Sequence, residues 1–312
     1  RIVSPRRQVV FRRESLETPD GDELLVDHVD SPAPSPLHFV LTHGLEGSSN
    51  SVYIQGVLAV IARHGWSATA INFRSCARVP GHVRRMIPNR RPRFYHSGET
   101  GDFDFVVRTL AARMPRTRIV AFGASLGGNA LLKWLGENPG QSIVRAAASL
   151  SVPYDLGAGS RQLERTAAGR FYVSRFLHTL KPKVARVFDL FPEVRGRIDL
   201  QRVLRSRTFW EFDDAATGPL HGCDDAADYY AKSSSIHFVG RITTPALVMS
   251  ASDDPFLPAE VLPRVKAAAS GAVDFRTTRA GGHVGFVGGA LPWSCRYWAE
   301  ERVVDWLRAH EG

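Results

Sequence analysis

The chain has 312 residues, 44% hydrophobic and 23% charged, with 27 Gly and 19 Pro, which excludes a disordered or collagen-like polymer. That length allows one large α/β domain with an insertion or two smaller domains. A net charge of +9 rests almost wholly on arginine, with no nucleic-acid recognition motif beside it, so nucleic acid is not an expected partner.

In chain order, Arg7–Thr18 and Glu23–Val29 read as two strands joined by the turn sequence Pro19-Asp20-Gly21-Asp22. Leu37–Thr42 is a mostly apolar run of the buried-strand kind. Ser51–His64 then has helical spacing in Ile54, Val57, Leu58 and Ile61, ending at Gly65. Ser67–Phe73 is the next strand, followed by a Pro/Arg-rich loop from Arg74 to about Thr100. Asp102 is placed to cap a helix reaching Met114. Arg118–Phe122 is a buried strand that runs into Gly123-Ala-Ser-Leu-Gly-Gly128 and a helix to Glu137; Arg145–Val152 is another strand. Buried strands alternating with helices predict a mostly parallel sheet covered on both faces.

From Pro153 to about Arg241 the pattern changes to helical stretches alone: Glu164–Leu180, Lys183–Phe191, Leu200–Phe209 and Asp224–Ser233. Strand and helix resume with Ala246–Ser250, Ala259–Ala269, Val273–Thr277 and a last helix from Trp293 to His310. Residues 1–152 and 242–312 are therefore expected to form an α/β core, and 153–241 an inserted helical lid.

Three cysteines, Cys76, Cys223 and Cys295, are widely spaced and match no metal or disulfide pattern. Neither a structural metal nor a disulfide framework is expected, and a reducing, cytoplasmic setting is. No apolar stretch approaches the ~20 residues of a membrane span. The first 13 residues carry five arginines and no apolar h-region, so they do not read as a signal peptide. The charge is unevenly spread. Gly47 to Gly98 holds no acidic residue but includes Arg63, Arg74, Arg78, Arg84, Arg85, Arg90, Arg91 and Arg93. Residues 161–207 hold twelve basic and four acidic side chains, and 208–231 six acidic and no basic ones. Such blocks either neutralise one another across the surface or form a positive rim that meets an anionic substrate or membrane.

Gly123-Ala124-Ser125-Leu126-Gly127 matches G-x-S-x-G between a strand and a helix, the context the motif requires. So tight a turn strains the backbone at Ser125 and leaves room only for very small neighbours, which Gly123 and Gly127 supply; Gly128 lets the helix pack close to the strand. His43-Gly44-Leu45-Glu46-Gly47 follows another buried strand, where the amide of Leu45 is the expected partner of the Leu126 amide in an oxyanion hole. His43 itself reads as a structural histidine. A serine nucleophile needs a base, and the base a carboxylate, in the order Ser, acid, His. After Ala246–Ser250 come Asp253 and Asp254; after Val273–Thr277 comes His283 within Gly281-Gly-His-Val-Gly285. Asp254 is favoured because Pro258 stands four residues on and Pro255 biases residue 254 to an extended conformation. Asp253 would then be a hydrogen-bonding neighbour.

At these residues the chain resembles the α/β-hydrolase superfamily. Within it the chain is similar to the YheT-type group of bacterial hydrolases, which is related to plant embryogenesis-associated proteins and to human α/β-hydrolase-domain lipid enzymes. The strings that carry the resemblance are His43–Ser49, Asn72-Phe-Arg74 with Cys76, Tyr95–Thr100, Gly123–Asn129, Phe212–Asp214, Asp228–Tyr230, Asp253–Phe256 and Gly281–Phe286. The resemblance implies an α/β-hydrolase fold with an eight-stranded-type sheet, and a serine esterase or lipase with Ser125, Asp254 and His283 as its triad. Its substrate would be a small ester or lipid. Ser75 departs from the group, which usually has Gly there. Relatives also often carry a further N-terminal segment before the first strand.

No metal or other cofactor is expected of such chemistry. The same triad would serve an acyltransferase or perhydrolase, and the fold alone would serve a non-catalytic lipid- or membrane-binding homologue. His96 or Arg74 could touch substrate or hold the long loop in place. Phe171, Phe176, Leu177, Leu180, Phe188 and Phe191 could line an acyl pocket or form plain core. Oligomeric state is not legible.

Overall fold

The computed structural model describes residues 9–82, 85–288 and 296–310; Arg84, Trp293 and Cys295 lie outside them. Eight strands form one sheet: β1 (Arg12–Glu17), β2 (Glu23–Val29), β3 (Leu37–Thr42), β4 (Ser67–Asn72), β5 (Arg118–Ala124), β6 (Val144–Leu150), β7 (Ala246–Ala251) and β8 (Val273–Thr278). Their spatial order is β1-β2-β4-β3-β5-β6-β7-β8. The pairs β1–β2 and β2–β4 are antiparallel, and every later pair is parallel. The mostly parallel eight-stranded architecture is thus the one observed.

Alternation along the central strands explains why both faces are covered. Ile119 and Ala121 of β5 face a core with α2 (Gly101–Arg113) and α3 (Leu126–Glu137), through Phe103, Val106, Leu131 and Trp134. Their neighbours Val120 and Phe122 face the opposite core, built with α1 (Val52–Arg63) and α11 (Trp298–Ala309). Successive side chains of a strand point to opposite faces, so a strand buried on both sides is apolar over most of its length rather than at alternate positions. Every residue of β3 and β7 is buried.

Between β6 and β7 the chain is helical only. It runs through α4 (Leu156–Arg165), α5 (Ala167–Leu190), α6 (Leu200–Arg205), α7 (Phe209–Phe212), a π-helical turn at Asp213–Thr217, α8 (Gly218–Leu220) and α9 (Ala226–Ser233). These helices share a third core with Leu163, Leu177, Leu180, Val184, Val187 and Phe212. The two helices expected on either side of Lys181 are one. Pro182 lies inside α5, and the buried stripe Val173, Leu177, Leu180, Val184 and Val187 continues past it. Packing of that stripe outweighs the hydrogen bond a proline removes.

After β7 come α10 (Val261–Ala268), β8, and the short pair β9 (Val287–Gly288) and β10 (Arg296–Tyr297). Asp102 does not cap α2: it lies inside the first turn, and its carboxylate accepts the guanidinium of Arg74 at 2.7 Å.

Candidate active site

The Gly123–Gly128 turn joins β5 directly to α3. Ser125 has φ 53° and ψ −122°, a conformation strained for a side-chain-bearing residue. A Cβ at residue 123 would stand 2.5 Å from Gly127 O, one at 127 would stand 2.6 Å from His43 O, and one at 128 would stand 2.8 Å from Val152 Cγ2. Each glycine is therefore required by a backbone or core neighbour. The Ser125 hydroxyl lies 2.8 Å from His283 Nε2.

His283 sits on the loop after β8. Its Nδ1 is 2.9 Å from Asp254 Oδ2 and 3.1 Å from Oδ1, and its ring stacks on Phe256 at 4.2 Å. Asp254 is buried on the loop after β7, where Oδ1 also accepts the Phe256 amide at 2.9 Å. With the carboxylate accepting, Nδ1 carries the proton and Nε2 is left to accept from the serine. Asp253 points elsewhere: its Oδ1 accepts the Gly282 amide at 2.8 Å and ties down the loop that carries the histidine.

The loop after β3 presses against Ser125. A Cβ at Gly44 would stand 3.0 Å from Ser125 Cβ, and the Gly44 amide donates to Tyr53 Oη at 2.8 Å. Leu45 and Leu126 line the same cavity as Ser125 and His283. Among the described residues, neither of their amides donates to a protein acceptor. Glu46, at φ 56°, is held by the Tyr95 hydroxyl at 3.0 Å and by the Lys183 ammonium of α5. Sequence reasoning missed Tyr53 and Lys183, and it marked Glu46 and Tyr95 within strings of the resemblance without a role, because their pairings join segments far apart in the chain.

His43 is buried, donates from Nδ1 to Gly44 O at 2.8 Å and accepts the Phe73 amide at Nε2. Burial holds it down to about 4, so it stays neutral and structural. Arg74 is 3% exposed and bonds Asp20, Asp22 and Asp102. It clamps the β1–β2 turn to α2 and has no access to substrate. Ser75 has φ 61°, a left-handed conformation that favours glycine, and its amide donates to the Asn89 side chain.

The cavity beside Ser125 is walled by Leu163, Phe176, Leu180, Phe209, Phe212 and Phe256, with His96, Ser160, Asp213 and Tyr230 also in its lining. Of the aromatic and aliphatic residues considered for an acyl pocket, Phe176 and Leu180 line it and Leu177 is core. Phe188 and Phe191 pack on the helical core, and Phe171 is 63% exposed.

A tight turn carrying Ser125 between β5 and α3, with loops carrying His283 and Asp254 after β8 and β7, places the chain among known folds. A family model of the α/β hydrolase fold matches residues 38–290. The chain belongs to the α/β-hydrolase family. Over 309 residues it is 36% identical to the Escherichia coli K12 protein named "Putative esterase YheT", covering 98% of this chain and 87% of that one. It is also 28% identical over 303 residues to Mus musculus "Phospholipase ABHD3", covering 95% of this chain and 71% of that protein. The structure of the Pyrococcus furiosus esterase Pf2001 superposes with a TM-score of 0.62 at 15% identity, over 97% of this chain and 94% of that one, a likeness of fold. Among the described residues of this α/β-hydrolase, no helix is long and apolar enough to cross a membrane.

Proposed function

We propose that this α/β-hydrolase cleaves carboxylic esters of the esterase and lipase type through an acyl-enzyme on Ser125. The observation that carries this is the 2.8 Å contact between Ser125 Oγ and His283 Nε2, with Asp254 behind the imidazole. Ser125 attacks the ester carbonyl and gives its proton to His283 Nε2, while Asp254 fixes the imidazole and stabilises it when charged. The amides of Leu45 and Leu126 hold the tetrahedral oxyanion, and the N-terminus of α3 favours the same charge. The imidazolium then protonates the departing alcohol. Water, deprotonated by His283, attacks the acyl-enzyme and releases the acid. No step of this chemistry calls for a metal or an organic cofactor.

Residues 153–241 act as a lid over the cavity. Exposed Phe171 and Tyr172 at the start of α5, among exposed Arg161, Arg165, Arg170 and Arg175, support peripheral contact with an anionic membrane surface. The relatives' names, esterase and phospholipase, support a small ester or lipid as substrate. The test is Ser125→Ala with a short-chain p-nitrophenyl ester and a fluorophosphonate probe. Turnover and labelling are expected to vanish; undiminished turnover or labelling in the variant refutes the assignment.

A further inference from the structure

The strings Tyr95–Thr100, Phe212–Asp214 and Asp228–Tyr230 take no part in the Ser125–His283–Asp254 contacts, yet the fold brings them to one place. His96, Asp213 and Tyr230 line the cavity that also contains Ser125 and His283. Asp213 is the first residue of the π-helical turn, a departure from α geometry that tends to mark functional positions. Its Oδ1 accepts the Thr217 hydroxyl at 2.6 Å and its Oδ2 the Tyr230 hydroxyl at 2.7 Å.

Two acceptor positions on this carboxyl group remain, since an ionised carboxylate has about four. Among the described residues no cationic side chain pairs with it, and burial raises it to about 6. Ser160 on α4 also lines the cavity and is buried, with its Oγ beside the Tyr230 hydroxyl but in no hydrogen bond of ordinary length. A buried hydroxyl so weakly satisfied is costly, and so is a buried carboxyl short of partners. One ligand group answers both: a hydroxyl, which donates to the carboxyl and accepts from the serine. A quaternary ammonium would attract the carboxylate but offer Ser160 no partner.

We propose that Asp213 and Ser160, with Tyr230 and Thr217 orienting the carboxyl, form a subsite for a hydroxyl group of the ester substrate. This deepens the ester-hydrolase reading and rests on it. The hydroxyl belongs either to a polyol alcohol or to a hydroxylated acyl chain, both of which present the same donor and acceptor.

The experiment compares kcat/KM for two matched pairs, monohexanoylglycerol against propyl hexanoate and methyl 6-hydroxyhexanoate against methyl hexanoate. One pair is expected to show a preference of about tenfold for the hydroxylated member, and which pair it is identifies the source. Ser160→Ala and Asp213→Asn are each expected to reduce that preference severalfold. Because Asp213→Asn disturbs the π-helical turn, Ser160→Ala, which removes one oxygen, keeps the test decisive if the other fails to fold. Equal rates within both pairs, or a preference untouched by Ser160→Ala, overturns the subsite. So does a stronger preference for an ester ending in trimethylammonium. These outcomes leave the hydrolase reading standing so long as plain esters turn over and a fluorophosphonate labels Ser125. Absence of both turnover and labelling overturns that reading, and the subsite with it.

Discussion

Replacing Asp254 by asparagine separates orientation of the imidazole from mere packing. Oδ1 accepts the Phe256 amide at 2.9 Å, and Oδ2 lies 2.9 Å from His283 Nδ1. In the variant the amide oxygen stays on the Phe256 N–H, since an NH2 group there would oppose donor to donor. The NH2 then faces Nδ1 and donates to it, which forces the ring proton onto Nε2. Nε2 can no longer accept from Ser125 Oγ. A wrong tautomer of this kind lowers kcat by about 10⁴, or about 5 kcal/mol of transition-state stabilisation. The fold should be little affected, because the position remains buried and hydrogen-bonded. Asp253→Asn is the control: its oxygen can still accept the Gly282 amide, so its loss should stay below about tenfold. The assay is kcat/KM on p-nitrophenyl butyrate, with the fluorophosphonate labelling rate as a second reading. Equal losses in the two variants, or a larger loss at 253, would refute the tautomer argument.

Gly44→Ala places a Cβ 3.0 Å from Ser125 Cβ and 3.1 Å from Tyr53 Oη. Displacement of Ser125, the proposed nucleophile, should lower kcat by about 10² while the thermal midpoint moves little; steady-state kinetics beside calorimetry checks both. Arg74→Met strands the buried carboxylates of Asp22 and Asp102. Urea unfolding should show a loss of about 3–5 kcal/mol, and a loss under 1 would mean that the clamp is not stabilising.

Asp213, raised to about 6, binds a proton in the folded state that it does not hold when unfolded between pH 6 and its ordinary value of 3.8. Its penalty is therefore present above pH 6 and relieved as pH falls toward 4. Asp213→Asn should gain stability relative to wild type at pH 8 compared with pH 5, by about 1.4 kcal/mol in urea unfolding. A difference between the two proteins that does not change with pH counts against it. Phe171→Glu should abolish co-sedimentation with anionic vesicles, and salt should weaken the wild-type interaction; equal binding by both proteins would remove α5 from the membrane contact.

The fold was largely legible because its signals are local. Short, mostly apolar runs at Leu37–Thr42 and Ala246–Ala251 read as strands buried on both faces, and helical spacing between strands requires crossovers. The turn around Ser125 was legible for a similar reason: glycines at 123, 127 and 128 are demanded by atoms within a few residues or on the adjoining strand. Where a longer-range partner decides, sequence reasoning failed. Asp102 looks like a cap because nothing local shows that Arg74 will reach it. Pro182 looks like a helix end because the apolar stripe that carries α5 past it acts through contacts with other helices.

The sequence by itself determined the order of strands and helices, the elbow at Ser125 and the two loops that carry Asp254 and His283, since these follow from periodicity and from steric limits within a few residues. Only the tertiary structure decided which of two adjacent aspartates faces His283, because neighbouring side chains diverge and a single peptide separates Asp253 from Asp254. It alone turned Arg74 inward, and it alone joined Asp213, Tyr230 and Ser160 in one cavity with Ser125. Those placements arise from desolvation and pairing between segments far apart in the chain, and such interactions leave no periodic trace in the amino-acid order.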